Sequence, residues 1–411
     1  MTDLDAVLAV HDELLARRSV DVWVGAVPAF TLARTPHVVG RQIGPFATTR
    51  ELWRDARDEW TAAEAAGLAA TGAADGFVLA LGGVRAASSP FVRYPHVVPA
   101  LLRYLNNHPA LSYWFAGEHV GAGSRGPRPD EGPRELWDEL GVTLGWLEQL
   151  ADHGELGPAQ VIRALEPLLG ERAELRTGRL ADGVLELPAI RMPERPGMLA
   201  AVAGLFRSVV ARLVVAHYRE PLVDWHEELH DRFALPSALQ RDLRLVLGDL
   251  DEHGLGLPAQ LRGELEGWRA EPLTCRIGDA TLELRPALEF WPFPGERDAT
   301  QRWELSIGGP GPDRVLIAGR WAQLRDLGDG TRVLGVRRRV GEAGLHAGMP
   351  VVDPLVIDWE WDGQAQRVQL WAARRLETCA RAPGLSAARY WPETYPFTID
   401  LRRAILPPWT S

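Results

Sequence analysis

The sequence predicts an α+β fold, and three observations carry that reading. Apolar residues recur at helical spacing through most of the first 268 residues, short runs of period two take over beyond Glu271, and Gly/Asp turn signals separate those later runs at hairpin distances. The organisation read from this is an α+β domain over residues 1–268 and a β-rich domain over 271–411, the latter expected to be sandwich-like. With 411 residues, 46% hydrophobic and 24% charged, the composition is globular and excludes disordered and fibrous classes.

Taken in order, Asp5 to Arg17 has helical periodicity and leads into a buried strand, Val20 to Val24, closed by Gly25. Arg50 to Ala66 places Leu52, Ala56 and Trp60 on one side of a helix and charges on the other. Phe77 to Leu81 reads as a strand ending at Gly82-Gly83. Helices follow at Val97–Asn106, Glu135–Ala151 and Pro158–Leu169, the last opening on a proline whose missing N–H is harmless there. Val184 to Ile190 returns to a strand. Met198 to Val215 is the most apolar stretch, but Arg207, Ser208 and Arg212 interrupt it, so it reads as a core helix and not a membrane span. A helical region is expected from Pro221 to Trp268. Strands are then expected at Thr281–Leu284, Trp303–Ile307, Val315–Ala318, Arg332–Val336, Leu355–Trp361 and Arg367–Trp371, with turns at Gly308-Gly309-Pro310, Gly328-Asp329-Gly330 and Asp362-Gly363. Gly121 to Pro133 reads as a long loop.

Charge and residue types narrow the chemistry. The net charge is −10, from 45 basic and 55 acidic residues, which speaks against a nucleic-acid partner. All 45 basic residues are arginine, so Schiff-base chemistry, a lysine base and the phosphate-loop lysine are excluded together. Two cysteines, Cys275 and Cys379, supply neither a disulfide framework nor a thiolate zinc site, and no hydrophobic leader precedes Val7 to Leu15, so the expected address is the cytoplasm. His226-Glu227-Glu228-Leu229-His230 matches H-E-x-x-H, which would set two imidazoles one helical turn apart beside a glutamate base, with Glu252 or His253 as a third zinc ligand. The same letters fit an amphipathic helix after Pro221 that turns Val223, Trp225, Leu229 and Phe233 inward. Leu185-Glu186-Leu187 and Leu282-Glu283-Leu284-Arg285 alternate so that each glutamate faces away from its apolar neighbours; such a face can hold Mg²⁺ and a phosphate, or pair Glu with Arg at the surface.

Several longer runs carry a resemblance. Asn107-His108-Pro109-Ala110-Leu111-Ser112-Tyr113 to Gly117, Ser124 to Glu131, Tyr218 to Trp225, Glu228 to Phe233, Leu282 to Glu289, and His346 with Pro350 to Asp358 resemble a bacterial amidoligase family, usually fused to or encoded beside a transglutaminase-like domain. Val22 to Thr31 is similar to that family's first strand. The resemblance implies a glutamine synthetase-like antiparallel sheet, as in glutamate–cysteine ligase, followed by a β-rich tail. It also implies a reaction in which Mg-ATP activates a carboxylate for attack by an amine. On that basis Glu186, Glu174 and Arg172 would be catalytic, and Arg128, Asp130 and Glu131 would hold the cofactors ATP and Mg²⁺.

The chain departs from the family pattern where the chemistry should lie. Gly40, Gln42 and Gly44 precede Pro45 where the family has Glu, Asn and His, and Phe77-Val78 replaces an Asn-His segment before Gly82-Gly83. Glu186 is kept, but Pro188 and Arg191 follow it, Gly141 takes an acidic helix position, and a lysine-bearing stretch between Leu175 and Leu185 is shortened. The transglutaminase-like domain and a long insertion at Phe30–Thr35 are missing. The reading that follows is a catalytically degenerate amidoligase-like protein, a pseudoenzyme serving as binding or scaffold subunit, with no cofactor expected. The alternative is an active ATP- and Mg-dependent ligase forming an amide on an amino acid or peptide. A zinc hydrolase through His226, Glu227 and His230 is third. Expected partners are a transglutaminase-like protein, an ATP-grasp ligase and an all-helical companion, with a peptide or amino acid as ligand and no membrane. Sixteen tryptophans, among them Trp114, Trp137, Trp146, Trp291, Trp359 and Trp361, supply rings suited to such interfaces.

Overall fold

The computed structural model describes residues 3–18, 20–28, 30–32, 38–39, 41–70, 77–115, 119–120, 136–169, 179–187, 190–223, 225, 235–268, 273–277, 279–286, 289–290, 300–317, 320–339, 351–361, 364–374, 376–377 and 398–399. It is an α+β protein with antiparallel sheets. Two compact units divide the chain, residues 1–227 with 239–269, and residues 228–238 with 270–411.

In the first unit the elements run α1 Leu4–Arg17, β1 Trp23–Val27, β2 Phe30–Leu32, β3 Val38–Val39, β4 Ile43–Phe46, α2 Thr49–Ala65, β5 Leu68–Ala70 and β6 Val78–Gly82. They continue through α3 Pro90–Arg93, α4 Val97–Asn107, α5 Ala110–Tyr113, β7 His119–Val120, α6 Leu136–Asp152, α7 Pro158–Leu169, β8 Val184–Leu187, α8 Pro196–Val215, α9 Pro236–Glu252 and α10 Ala259–Glu266; residues 236–238 of α9 are assigned to the second unit. Helix α8 is apolar on every side and buried on every side, and α1, α2, α4, α10 and β1 surround it. Its length and composition would suffice to cross a bilayer, yet here it is the core of the unit.

The interruptions in α8 bind its neighbours together. The Arg207 Nε donates to the Val22 carbonyl at 2.8 Å, Nη1 to the Asp12 carboxylate and to Thr49 Oγ1 (2.7 Å), and Nη2 to the Ala47 carbonyl at 2.7 Å. Asp12 in turn accepts the backbone N–H groups of Thr49 and Arg50, both at 2.9 Å, so a carboxylate from α1 serves the free amides opening α2. Thr48 caps the same helix through the Glu51 N–H, as the Thr-x-x-Glu spacing allows. One residue along α8, Ser208 Oγ lies 3.0 Å from the His11 ring.

The main sheet has the order β4-β1-β6-β8 with every pair antiparallel, and β3-β2-β5 form a small second sheet. Gly25, read from the sequence as the end of a strand, lies inside β1. A Cβ there would meet the Ile43 carbonyl oxygen at 3.0 Å, so the glycine admits the close passage of β4. Of the strand expected over Val184–Ile190, Val184–Leu187 forms β8, residues 188–189 lie outside the described residues, and Ile190 is not in a strand. Of the helical region expected from Pro221, residues 221–223 are irregular, residues 224 and 226–234 lie outside the described residues, and α9 runs from Pro236.

The second unit comprises β9 Leu273–Ile277, β10 Ala280–Pro286, β11 Glu289–Phe290, β12 Thr300–Gly308, β13 Arg314–Ile317, β14 Arg320–Gln323, β15 Arg325–Asp326, β16 Arg332–Arg339, β17 Val351–Trp361, β18 Gln364–Arg374, β19 Leu376–Glu377 and β20 Thr398–Ile399. A five-stranded sheet β15-β16-β12-β10-β9 and a four-stranded sheet β14-β13-β17-β18 are both antiparallel throughout. Leu282 is buried while Glu283 pairs with Arg285 at 2.9 Å, as the alternation of that strand predicts. On β12, Glu304 is fully buried; it accepts the Ser237 N–H at 2.8 Å and the Ser237 hydroxyl, and burial pushes its carboxyl above the usual range.

Candidate functional site

The face of the main sheet that turns away from the core is where the sequence places ligase chemistry. Val24, Ala26, Leu79, Leu81, Leu185, Leu187 and Ile43 point inward. Strand alternation then sends Trp23, Gly25, Val27, Val78, Ala80, Gly82, Val184 and Glu186 to the other side. Register aligns Gly25, Ala80 and Glu186 in one row across three strands, and Trp23, Gly82 and Val184 in the next. Glu186 is thus the one carboxylate that β1, β6 and β8 bring to this face. It is 20% exposed, and the half-exposed Arg179, just before a short 3₁₀ turn, reaches it at 3.4 Å.

The other predicted positions divide into two groups. Glu174, Arg172, Arg128, Asp130 and Glu131 lie outside the described residues, as do His226, Glu227, His230 and the Gly121–Pro133 loop. Three of the described ones are fixed by packing or backbone geometry. Phe77 is fully buried in the core. The Arg191 guanidinium lies over the Trp268 ring, 5.7 Å from its centroid, and donates to the Trp268 carbonyl. Gly44 has φ +83°, and a Cβ there would meet the Val24 carbonyl oxygen at 3.0 Å, so the backbone itself excludes a side chain.

A second cluster joins segments far apart in sequence. At the end of α4, Asn107 Nδ2 donates to the Tyr218 hydroxyl (3.0 Å) and the Pro221 carbonyl (2.8 Å), and its Oδ1 accepts the Val223 N–H at 2.9 Å. Asn106 Nδ2 donates to the Val223 carbonyl (3.0 Å), and the Trp225 indole donates to the Asn106 carbonyl (2.7 Å). The His108 ring lies 3.1 Å from Asp242, which also accepts the Ala110 N–H at 2.9 Å. Asn107 directs its donors to the Tyr218 hydroxyl and the Pro221 carbonyl and its acceptor to the Val223 N–H, so this cluster holds residues 218–223 in place.

A family model described as "Putative amidoligase enzyme (DUF2126)" matches residues 45–367, well over half of the chain. The chain belongs to this family. Searches of curated proteins and of solved structures each found no match. The amidoligase match spans both units, including β6, β8 and the Asn107–His108 and Tyr218–Trp225 segments that meet in space. A nucleotide-bound Mg²⁺ takes one or two carboxylates besides phosphate oxygens and water. Among the described residues the sheet face offers Glu186, paired with Arg179; the other candidate ligands, Glu174, Asp130 and Glu131, lie outside the described residues. The arrangement amounts to one partly buried ion pair in a surface of glycine, alanine and valine.

Proposed function

We propose that this amidoligase-family chain is catalytically degenerate and serves as a binding or scaffold subunit for companion peptide-modifying enzymes. The observation that carries the reading is the row Gly25–Ala80–Glu186, in which two of three positions have no functional side chain. Exposed apolar residues on α6 support a partner-binding role: Trp146 is 67% exposed and Val142, one turn earlier, 66%. The companions expected are a transglutaminase-like protein, an ATP-grasp ligase and an all-helical protein, with a peptide or amino acid as ligand. Retention of Glu186 opposite Arg179 favours the second reading, an active ATP- and Mg-dependent amide-forming ligase. That reading requires a further acid such as Glu174, Asp130 or Glu131.

Calorimetric titration of Mg-ATP into the purified full chain separates the two. The degenerate reading expects no saturable heat into the millimolar range. A low-micromolar dissociation constant that Glu186→Gln abolishes would overturn it. Affinity purification from the native host tests the scaffold role, with co-elution of companion enzymes expected and elution of the chain alone counting against it.

A further inference from the structure

Three element ends converge in the first unit. His96 immediately precedes α4, Asp152 ends α6, and His217 follows the end of α8. The Nδ1 atoms of both histidines lie 3.7 Å from Asp152 Oδ1, the two rings sit 4.6 Å apart between centroids with a 33° tilt, and all three ligand atoms fall within 4.8 Å of one another. The other carboxylate oxygen, Oδ2, accepts from Arg219 Nη2 at 3.1 Å. His96 is 12% exposed, and its buried Nε2 has no hydrogen-bond partner, whereas His217 is 46% exposed and leaves the cluster open to solvent on one side.

We propose that His96, Asp152 and His217 form a binding site for a zinc-class divalent metal ion. Two imidazole nitrogens and a carboxylate oxygen are the donor set that zinc takes in three-ligand sites, where the fourth position is left to solvent or a substrate oxygen. Metal–ligand bonds of about 2.0–2.1 Å in a tetrahedron separate the donor atoms by about 3.3 Å, so the two nitrogen–oxygen separations of 3.7 Å need a small contraction, and the imidazole nitrogens, within 4.8 Å of each other, close by rotation of the exposed His217 ring. Arg219 occupies Oδ2 and so orients Oδ1 toward both imidazoles, as the outer partner of a metal-bound carboxylate does. Without a metal, the imidazole pair would face a carboxylate that a guanidinium already neutralises. None of its three residues belongs to the strands of the main sheet or to the His226–His230 run.

The test is titration of metal-free full-length protein with Zn²⁺ against a chromophoric chelator, with Co²⁺ as a spectroscopic substitute. Expected are one Zn²⁺ per chain, tetrahedral visible absorption with Co²⁺, and a rise in melting temperature with added Zn²⁺. Loss of an outer partner weakens metal sites about 10–100-fold, so loss of a ligand in His217→Ala or Asp152→Asn should weaken Zn²⁺ binding by roughly a hundredfold or more. Both positions lie at helix ends and partly in solvent, and circular dichroism verifies that the variants fold. His226→Ala should leave binding unchanged. Absence of stoichiometric binding, binding unaffected by His217→Ala and Asp152→Asn in folded protein, or binding abolished by His226→Ala would each overturn the proposal.

Discussion

Arg207→Met removes the guanidinium at the centre of the first unit while keeping most of the stem's volume. Four acceptors lose a donor: the Val22 and Ala47 carbonyls, the Thr49 hydroxyl and the Asp12 carboxylate. Arg207 and Asp12 are both buried, so the relevant magnitude is that of breaking an interior ion pair from one side, about 3–5 kcal/mol. Asp12 keeps the Thr49 and Arg50 N–H groups, which places the expected loss near the middle of that range, about 4 kcal/mol. Against a total of about 5–15 kcal/mol for a domain, this is a large fraction. Urea unfolding followed by helical circular dichroism reports it, because the long helices belong to the first unit and the second is mostly strand. In a double-mutant cycle with Asp12→Leu the two losses should fail to add by more than about 1 kcal/mol. A loss below about 1 kcal/mol for Arg207→Met, or strict additivity in the cycle, would refute the view that this network joins α1, α2, α8 and the residue that leads into β1.

Three further outcomes follow from the same structure. Burial first, and then the Arg207 charge, lowers the His11 pKa from 6.5 to about 4 against the pull of Asp12; the unfolded chain therefore binds the proton more readily, and stability should fall as pH drops from about 6.5 to 4, by up to about 3 kcal/mol, with a flatter profile in His11→Gln. Gly82→Ala should destabilise by about 1–3 kcal/mol, because its Cβ would sit 2.3 Å from the Gly183 carbonyl oxygen, while Gly248→Ala in α9, with nothing within 4 Å, should stabilise by about 0.5–1 kcal/mol in the same melts. Ser237→Ala removes a hydroxyl donor from buried Glu304 and should push that carboxyl further up and weaken the second unit by about 1–2 kcal/mol, measured by carboxyl titration and by the strand signal in urea.

The legible parts of the fold are those where local pattern and burial agree. Leu52, Ala56 and Trp60 recur at helical spacing and are buried along α2, and the alternation Leu185-Glu186-Leu187 puts Glu186 on the outer face of β8. Strand β4 was illegible because Gly44-Pro45 breaks the alternation that marks a strand. Gly25 reads locally as a stop, and only the approach of the Ile43 carbonyl explains why it continues a strand. Residues 218–223 are irregular because the Asn106 and Asn107 side chains take backbone groups that a helix would have paired internally. The role of Arg207 depends on acceptors contributed by α1, by Val22 and Ala47 just ahead of β1 and α2, and by Thr49 at the start of α2, and His96, Asp152 and His217 share no sequence spacing at all. Tertiary geometry alone gathers them.

A carboxylate can be added to the main sheet by side-chain substitution only where the backbone leaves room. A Cβ at Gly25 would lie 3.0 Å from the Ile43 carbonyl, Gly44 has a left-handed φ of +83° beside the Val24 carbonyl, and Gly82 lies against the Gly183 carbonyl. At these three positions a carboxylate would need β1, β4 and β6 to move relative to their neighbours, at a cost that falls on the packed core beneath. Ala80 alone in its row has a Cβ beside Glu186, at the 4.5–5.5 Å or so that separates directly opposed residues in antiparallel strands. A single added acid there would meet a like charge already committed to Arg179. These glycines are thus built into strand packing, and under the proposed scaffold role the face to test for a partner is the exposed Val142–Trp146 side of α6.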